Sequence, residues 1–442
     1  MAARRRRRRR GPVASSSVSV IPRSVLERLG ASRGAVPCPV DPVLVARAAG
    51  PIFGEVRWFS EPGGRIRLGL GRQHRYVAAG PDRFATLREA LVGRPAGEVA
   101  FVGFGFDPEG PASPEWAGFP AAEAVVPEVW IEAGSAGATI EVHPEATGVV
   151  DRLAELEAVP SAGVLEVGDH TVTSIPAPST WRRDVAEAVE AIRSGTMTKV
   201  VLARAVRIVS AERPHPFELV DRLGLRYPGS YTFAWSHGPA TFLGASPELL
   251  VASDLAWVRS NPLAGSAPRG EGELADEELG RGLMASPKDR LEHAIVVDDV
   301  AARLRPFVED LEVPSEPSLR RMATVQHLST TIVGRLARRV HLLDLVAALH
   351  PTPAVGGAPR DEAARFIAKV EAIDRGWYTG GVGWVDGTGR GEVAIALRCG
   401  LLGSDGTTLY AGAGIVADSE PDEELVETRL KFRPLLELLA AT

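Results

Sequence analysis

Near the end of the chain, two carboxylates and an ammonium group are spaced so that they would share one face of a helix. The apolar pattern predicts a helix over residues 422–439, with a kink or break at Pro434. Glu424, Glu427 and Lys431 are three and four residues apart on it. Such a face could hold a divalent cation and an anionic substrate. It could equally be a solvated face with an ordinary Glu427–Lys431 ion pair.

A second group of carboxylates belongs to a helix predicted over residues 291–304. Asp289 precedes this helix, and Glu292 lies in its first turn beside apolar positions that would face the core. These carboxylates could meet those of the last helix and complete a set of oxygen ligands, which Mg²⁺ prefers. A solvated acidic face is again the alternative.

Lys199 stands at the start of an apolar run, residues 200–203, that predicts a buried strand. A lysine is tolerated where such a strand ends in solvent, and in a cleft it could act as a base. Two glycine-containing segments, Pro262–Ser266 and Ala411–Ile415, could bring main-chain N–H groups close to a carboxylate. They could also be tight turns without a ligand.

Other motifs are few. Cys38 and Cys399 lie far apart and have no metal-ligand neighbours at useful spacing, so neither a disulfide framework nor a zinc site is expected. His327 and His350 fit structural roles, since no nucleophile pattern accompanies them. The sequence has no Gly-x-Ser-x-Gly elbow and no Walker A loop.

The elements that must position these residues are short strands mixed with helices. A linker is predicted at Ser174–Thr180, and a helix capped by Ser179 and Thr180 should begin near Trp181 and end at Ser194. A further helix is predicted at Arg360–Asp374. Strands are predicted at Val56–Phe59, Ile66–Leu70, Val99–Phe104, Val125–Glu132, Thr139–Val142, Tyr231–Trp235, Thr241–Leu243, Glu248–Ala252, Val382–Val385, Glu392–Arg398 and Thr408–Ile415. The short connections near the end favour antiparallel pairing and therefore an α+β fold.

Composition excludes several functional classes. The 442 residues are 45% hydrophobic and 24% charged, which is typical of a globular protein with a sizeable core, and the longest apolar runs are too short to span a membrane. The chain has 50 basic and 56 acidic residues, and seven of the basic ones are the consecutive arginines Arg4–Arg10. The rest of the chain is therefore acidic and is not expected to bind nucleic acid. We expect a cytoplasmic protein, because Gly11–Val20 is too polar for the apolar core of a signal peptide.

The arginine run itself predicts a disordered tail over residues 1–20. An RNA- or lipid-binding role for this tail is the alternative.

Nine sequence blocks, in order from about residue 180 onward, resemble the chorismate-utilising enzymes. That family includes anthranilate synthase component I, aminodeoxychorismate synthase component I, salicylate synthase and isochorismate synthase. The blocks are Lys199–Arg204, Phe242–Leu250, Pro262–Ser266, Glu292–His293, Val325–Thr330, His350–Val355, Asp374–Trp384, Ala411–Val416 and Ser419–Lys431. Each block is weak alone, and their common order makes the resemblance specific.

The resemblance implies the anthranilate synthase component I-like fold, in which large antiparallel sheets pack together with helices on the outside. The domain organisation predicted from it is a tail over residues 1–20, a sheet-rich part over 21–175 and a chorismate-binding catalytic region over 178–442. The first 175 residues match the family only loosely.

Two positions sort the activities within the family. Aminating members usually have glutamine where this chain has Lys199, and a lysine there is typical of members that add water. Aminodeoxychorismate synthases with a lysine nucleophile carry that lysine where this chain has Ala264. The His350–Val355 block looks like that of isochorismate synthases. The resemblance therefore implies an isomerase (hydroxymutase) that converts chorismate to isochorismate by adding water at C2 with loss of the C4 hydroxyl.

The resemblance also implies site residues. Lys199 would be the base that activates water, and Glu248 the acid that protonates the departing hydroxyl. Mg²⁺ would be held by Glu292 and Glu427, with Glu424 and Asp289 near it. The residues expected to bind substrate or line its pocket are Gly265, Ser266, His327, Ala354, Arg398, Gly412, Gly414 and Lys431. Asp289 and Asp422 stand where many relatives have glutamate, and the shorter side chain of Asp289 weakens the case for its place near the metal.

Several alternatives remain open. Salicylate synthase, which would go on to eliminate pyruvate, is the main one. Anthranilate or aminodeoxychorismate synthase component I and a non-catalytic binding module are others. We expect a monomer that acts on chorismate without a glutamine amidotransferase subunit. The sequence does not separate menaquinone from siderophore or salicylate biosynthesis.

Overall fold

The computed structural model describes residues 19–32, 34–159, 170–210 and 214–439. Most of the predicted disordered tail therefore lies outside the described residues. Its last two residues are ordered, since Ser19 pairs with Glu157 and the Val20 N–H donates to the Leu156 carbonyl.

Helices and strands alternate along the chain. The helices are α1 Arg23–Ala31, α2 Pro42–Phe53, α3 Arg83–Leu91, α4 Val149–Ala154, α5 Pro178–Arg193, α6 Pro216–Arg226, α7 Glu273–Ala285, α8 Pro287–Leu304, α9 Leu342–Leu349, α10 Arg360–Val370 and α11 Pro421–Leu439. The first twelve strands are β1 Val36–Pro37, β2 Val56–Ser60, β3 Ile66–Leu70, β4 His74–Ala78, β5 Val99–Phe104, β6 Ala122–Val126, β7 Val129–Gly134, β8 Gly137–Val142, β9 His170–Ile175, β10 Lys199–Ser210, β11 Tyr231–His237 and β12 Ala240–Ser246. The others are β13 Leu249–Ser253, β14 Trp257–Asn261, β15 Leu263–Pro268, β16 Val308–Glu312, β17 Ser318–Arg321, β18 Val325–Ser329, β19 Ile332–Leu336, β20 Gly357–Ala358, β21 Gly381–Asp386, β22 Gly391–Ile395, β23 Cys399–Gly403 and β24 Gly406–Ile415.

The strands form two large sheets and a small one. A twelve-stranded sheet has the order β1-β8-β7-β3-β2-β11-β12-β23-β24-β10-β20, with β9 also pairing with β10. A nine-stranded sheet has the order β16-β19-β14-β13-β22-β21-β5-β6-β4, and β15, β18 and β17 form the third. The strand pairs are antiparallel, for example β10 with β24 and β21 with β5. The α+β class and the large antiparallel sheets are therefore confirmed.

Strands from early and late in the chain share both large sheets. β2 pairs with β11 in one and β5 pairs with β21 in the other. The division into residues 21–175 and 178–442 stays a prediction about function, and these pairings tie the two parts together.

An aromatic core lies between the two large sheets. It combines side chains from β2, β11 and β12 of one sheet with side chains from β5 and β21 of the other. Its largest members are Phe59, Phe101, Trp116, Phe119, Phe233, Trp235, Phe242, Trp377, Trp384 and Tyr410. Burying ring faces of this size supplies much of the drive for the sheets to pack together.

Helices cover the outer faces of both sheets. α2, α6 and α11 pack on the twelve-stranded sheet, α3, α8 and α9 pack on the nine-stranded sheet, and α5 and α10 flank β10. α8 and α11, which carry the predicted carboxylates, therefore pack on different sheets. No helix of the described residues is long and apolar enough to cross a bilayer.

Several predicted boundaries were wrong. The predicted linker is structured, because Ser174 and Ile175 belong to β9 and α5 begins at Pro178. Ser179 and Thr180 therefore lie inside α5 and do not cap it, since Pro178 takes the first helical position, where its missing N–H costs nothing.

Other errors concern strands and the helix ends. The strand predicted across residues 125–132 is two strands separated by Pro127, because proline cannot donate to a ladder. The predicted helix from Arg360 ends at Val370, the strand from residue 392 stops at Ile395, and β23 was missed. α11 continues through Pro434.

Candidate active site

One buried cavity collects most of the predicted site residues from eight different segments of the chain. Predicted residues that line it are Glu248, Gly265, Ser266, Glu292, His327, Ala354, Arg398, Gly412, Gly414, Glu427 and Lys431. They come from the turn between β12 and β13, from β15, β18 and β24, from α8 and α11, and from two loops. Lys199 contacts this set through Glu292, and Asp289 and Glu424 line an adjoining cavity that shares Ser266 and Glu427.

Lys199 begins β10, and its side chain is fully buried. Its Nζ lies 3.0 Å from Glu292 Oε1 on α8, so the strand and the helix meet at an ion pair beside the cavity. Gly414, on the neighbouring β24, allows this approach, because a Cβ there would overlap the Glu292 carboxylate and press on the Lys199 Cε. The lysine therefore does not end in solvent, which was one of the two readings of its position.

Glu248 lies in the short turn between β12 and β13, and this turn is fixed by main-chain contacts. Its N–H donates to Ser246 Oγ at 3.2 Å, and its carbonyl accepts from the Ile395 N–H at 3.1 Å. The side chain is 3% exposed. Burial raises the pKa of the carboxyl to about 8, although the Leu263 N–H and the positive charges of Lys199 and Arg398 oppose this. Glu248 is therefore protonated at neutral pH and can donate a proton.

His327 positions Arg398 at the wall of the cavity. Its Nε2 accepts a hydrogen bond from Arg398 Nη2 at 2.9 Å, and its Nδ1 lies 3.2 Å from the Gly265 carbonyl and 3.0 Å from Ser266 Oγ. The tautomer that satisfies these contacts carries its proton on Nδ1. Burial, reinforced by the charges of Arg398 and Lys431, holds the pKa of His327 well below its usual value. The ring is neutral, so it orients the guanidinium while leaving its charge available.

Arg398 itself has a left-handed backbone, with φ of 49°. A residue other than glycine in this region is strained, and such strain is concentrated at functional sites. The neighbouring strand β22 ends at Ile395, before Arg398, and the chain turns here toward the cavity. This turn is why the predicted strand through Arg398 was too long.

Lys431 supplies a second cation to the same cavity. From α11 its Nζ donates to the Gly412 carbonyl at 2.8 Å and pairs with Glu427 Oε1 at 2.5 Å. The Glu427–Lys431 pair expected from the helical spacing is thus present, and it lines a cavity, whereas the alternative placed it on a solvated face. Arg398 and Lys431 together give an otherwise acidic protein a local site for an anion.

The four predicted metal-binding carboxylates concentrate negative charge where α8 and α11 meet. Burial, with the charge of Glu427, raises the pKa of Glu424 to about 7, although Lys288 lies 2.9 Å from it. Burial also raises the pKa of Asp289, with a further contribution from Glu292. A hard divalent cation would relieve this crowding, and carboxylate oxygens are the ligands that Mg²⁺ takes. The donor set therefore fits Mg²⁺ chemically.

The positions of these carboxylates show what cation binding would require. Each of Glu292, Glu424 and Glu427 forms an ion pair with a lysine. Within the described residues, these three carboxylates do not bring one oxygen each to within 4.8 Å of the other two. Their side chains would have to rotate from the lysines toward a shared centre. That is a rotamer change and leaves α8 and α11 in place.

The prediction omitted several residues that line or support the site, among them Tyr378 and Arg375. Tyr378 lines the cavity, and its hydroxyl lies where a side chain at position 412 would have to go. Arg375 is buried behind it and binds the main-chain carbonyls of Val201 and Val355 at 2.8 Å each, which ties β10 to the His350–Val355 loop. Both fall within the Asp374–Trp384 block, so the sequence carried a signal for them.

His350 has the structural role that the sequence predicted. It is buried, its Nε2 lies 2.9 Å from the Thr379 carbonyl, and its ring packs edge-on against Phe104. Burial lowers its pKa to about 3, so the ring is neutral.

Comparison with known proteins agrees with this geometry. A model of the family described as chorismate binding enzymes matches residues 37–440. A salicylate biosynthesis isochorismate synthase of Pseudomonas aeruginosa is 38% identical over 388 residues, 82% of this chain and 80% of that protein. Isochorismate synthase DhbC of Bacillus subtilis is 44% identical over 273 residues, 60% of this chain and 69% of that protein.

A solved structure shows the same fold. The menaquinone-specific isochorismate synthase MenF of Escherichia coli superimposes with a TM-score of 0.82 at 25% identity, covering 94% of this chain and 99% of that one. The family match runs from residue 37 to residue 440, so it includes residues 37–175, which the sequence blocks did not reach. The chain therefore belongs to the chorismate-binding enzyme family.

Proposed function

We propose that this protein is an isochorismate synthase, which adds water at C2 of chorismate and expels the C4 hydroxyl. The observation that carries the proposal is the pairing of a buried lysine with a protonated glutamic acid at one anion-binding cavity. Glu248 lines the cavity and Lys199 lies beside it against the lining residue Glu292; both are buried, and the pKa of Glu248 is raised to about 8. The relatives named above, which are isochorismate synthases, support the same reading.

Lys199 would accept a proton from the attacking water. A lysine acts as a base only when it is neutral, so its proton must leave before water is activated. The Nζ has no access to solvent, and its contact is with Glu292 at 3.0 Å. Lys199 therefore lies beside the cavity and away from bulk solvent.

Glu248 would give its proton to the departing C4 hydroxyl. A carboxylic acid must remain protonated near neutral pH to do this, and burial achieves it here. The Leu263 N–H is 3.5 Å from Oε1 of Glu248, so this hydrogen bond is long and does little to stabilise the ionised form. Each such proton transfer is typically worth about 10²–10⁴-fold in rate.

Chorismate is a dianion, and the cavity offers cations for both carboxylates. Arg398 and Lys431 would bind them, with Arg398 held in place by the neutral His327. We propose Glu292 and Glu427 as Mg²⁺ ligands, with Glu424 and Asp289 near the ion. When bound, Mg²⁺ would hold a substrate carboxylate and offset its charge. Gly265, Ser266, Ala354, Gly412 and Gly414 would line the pocket around the ring.

The methyl group of Ala264 distinguishes this cavity from that of a covalent aminodeoxychorismate synthase. Ala264 lies on β15 and lines the cavity, so no amine is offered at that position.

We also propose that the protein acts in the cytoplasm as a monomer without an amidotransferase subunit. Size-exclusion chromatography with light scattering at several protein concentrations tests the monomer, and a concentration-dependent mass would contradict it.

The central test is to incubate the protein with chorismate and Mg²⁺ and to resolve the products by chromatography. We expect isochorismate and no anthranilate when ammonia is added. Formation of anthranilate with no isochorismate would refute the proposal. Accumulation of salicylate and pyruvate would replace it with salicylate synthase.

A matched pair of variants tests the assigned base. Lys199→Ala should lower the rate by about 10²–10⁴-fold. Lys369→Ala, at an exposed position paired with Glu187, should leave the rate unchanged. Full activity of Lys199→Ala would remove Lys199 from the mechanism.

A further inference from the structure

A second cluster of ligand-type side chains lies away from the active site. His74 is the first residue of β4, and His143 and Glu145 follow the end of β8. One potential ligand atom from each lies within 4.8 Å of the other two, and within the part of the chain that the structure describes no other such group is found. The neighbouring cavity, which His143 and Glu145 line, shares no lining residue with the active-site cavity.

Each side chain carries a potential ligand atom. His74 Nε2 is shielded from solvent, and although it is 3.2 Å from Glu145 Oε2 it makes no hydrogen bond there. His143 Nε2 is 3.0 Å from Glu98 Oε2, and its Nδ1 accepts from the Glu145 N–H at 3.2 Å. Both contacts are satisfied when the proton is on Nε2, so the Nδ1 lone pair accepts the Glu145 N–H and would have to exchange this hydrogen bond for a metal ion.

Glu98 makes this tautomer the favoured one. Its carboxylate also receives hydrogen bonds from Arg94, so it is ionised and accepts from His143. A carboxylate behind a histidine in this way fixes the ring and makes it a better ligand, as the outer partners of metal-bound histidines do.

We propose that His74, His143 and Glu145 form a binding site for a divalent transition metal, with Zn²⁺ as the best match. Two imidazoles and one carboxylate are a common zinc ligand set, and three protein ligands leave a fourth position open to water. Tetrahedral zinc bonds of about 2.0–2.2 Å place ligand atoms roughly 3.3–3.6 Å apart. The three ligand atoms lie within 4.8 Å of one another, so the side chains would have to rotate to bring them closer together.

The site would join the two large sheets. β4 is the edge strand of the nine-stranded sheet, and β8 lies next to the edge of the twelve-stranded sheet. Because the ligands converge only when both sheets are in place, Zn²⁺ should bind the folded chain in preference to the unfolded chain and raise the melting temperature.

The test uses the full-length protein, stripped of metal and titrated with Zn²⁺ in competition with a chromophoric chelator, with millimolar Mg²⁺ present. We expect the wild type to bind one Zn²⁺ ion tightly per chain. The His74→Gln/His143→Gln double variant should bind Zn²⁺ with at least a hundredfold lower affinity. His170→Gln, outside the cluster, is the matched control and should bind Zn²⁺ as tightly as the wild type. Equal Zn²⁺ affinity of the wild type and the double variant would overturn the proposal.

Two further variants keep the result decisive if the double variant does not fold. Glu145 is exposed, so Glu145→Gln should fold normally and still weaken Zn²⁺ binding. Glu98→Gln should weaken it by about 10–100-fold, as expected for a partner behind a ligand. The Glu427→Gln variant should still bind one Zn²⁺ ion tightly. If this variant loses tight Zn²⁺ binding, the zinc belongs to the active-site carboxylates and the proposal is overturned.

Discussion

Replacing Glu248 with glutamine should make the protein more stable at neutral pH while it loses activity. The substitution keeps the shape of the side chain and removes only its ability to ionise. Glu248 is 3% exposed, and burial raises its pKa to about 8 from a usual value of 4.5. In the unfolded chain the carboxyl ionises above pH 4.5, whereas in the folded protein it stays protonated up to about pH 8.

The sign and size of the effect follow from this difference. Because the unfolded chain releases the proton first, Glu248 costs the folded state stability as pH rises from 4.5 to 8, by about 1.4 kcal/mol for each pH unit. At pH 7 the cost is about 3 kcal/mol, and below pH 4.5 it vanishes. Glutamine has no such cost, so Glu248→Gln should gain about 3 kcal/mol at pH 7 and almost nothing at pH 4.5.

Urea unfolding at pH 4.5, 5.5, 6.5 and 7.5, followed by tryptophan fluorescence, measures the difference between wild type and variant. Glu277→Gln, at an exposed position, is the control and should show no pH-dependent difference. A gain of the same size at pH 4.5 and pH 7.5 would refute the reasoning, since it would come from packing or hydrogen bonding and not from ionisation.

The same variant tests the catalytic role. We expect Glu248→Gln to lower the rate of isochorismate formation by about 10²–10⁴-fold. In the wild type, kcat/KM should fall as pH rises through about 8, where Glu248 loses its proton. A wild-type profile that stays level to pH 9.5 would contradict the assignment of Glu248 as the acid.

Three other perturbations have defined outcomes. Gly376→Ala should lower the free energy of unfolding in urea by about 2 kcal/mol or more, because the new Cβ would overlap Trp116 and φ at this position is 53°. The control Gly195→Ala has a φ of 83° but open space around it, so it should lower the free energy of unfolding by only about 1 kcal/mol. Equal losses would contradict the overlap. Arg375→Met should lower the free energy of unfolding by about 3–5 kcal/mol, because it removes the guanidinium that donates to the Val201 and Val355 carbonyls and to the Glu371 carboxylate. A decrease below about 1 kcal/mol would argue against this network. Mg²⁺ should raise the melting temperature of the wild type more than that of Glu427→Gln, and identical shifts would exclude Glu427 as a ligand.

Part of the regular elements could be predicted, because local patterns encode them: helices corresponding to α5, α8, α10 and α11 were expected, whereas the other helices were not. β2, β3, β5 and α8 were found within a few residues, since alternating or helical apolar spacing reflects which side chains face a core. The errors fell where one residue overrides the pattern, as Pro127 does between β6 and β7 and Pro178 does at the start of α5. β23 was missed because Cys399–Gly403 is too short and glycine-rich to stand out.

The electrostatics of the site could not be read from the chain. Glu248 and Glu424 are the same residue type, yet burial and neighbours raise the pKa of Glu248 to about 8 and that of Glu424 to about 7. These differences arise from groups brought together by folding, such as Lys288 on α8 beside Glu424 on α11. Spacing along one helix revealed the Glu427–Lys431 pair and nothing beyond it.

By itself the sequence determined which residues could do chemistry, because the order of the blocks and the residue types at positions 199, 248 and 264 are properties of the chain. Only the tertiary structure decided what those residues face. It buried Lys199 against Glu292 and excluded water around Glu248, and it placed the neutral His327 behind Arg398. Reactivity depends on solvent exclusion and on the distances between charges, and both are fixed only when the two sheets and their helices pack together.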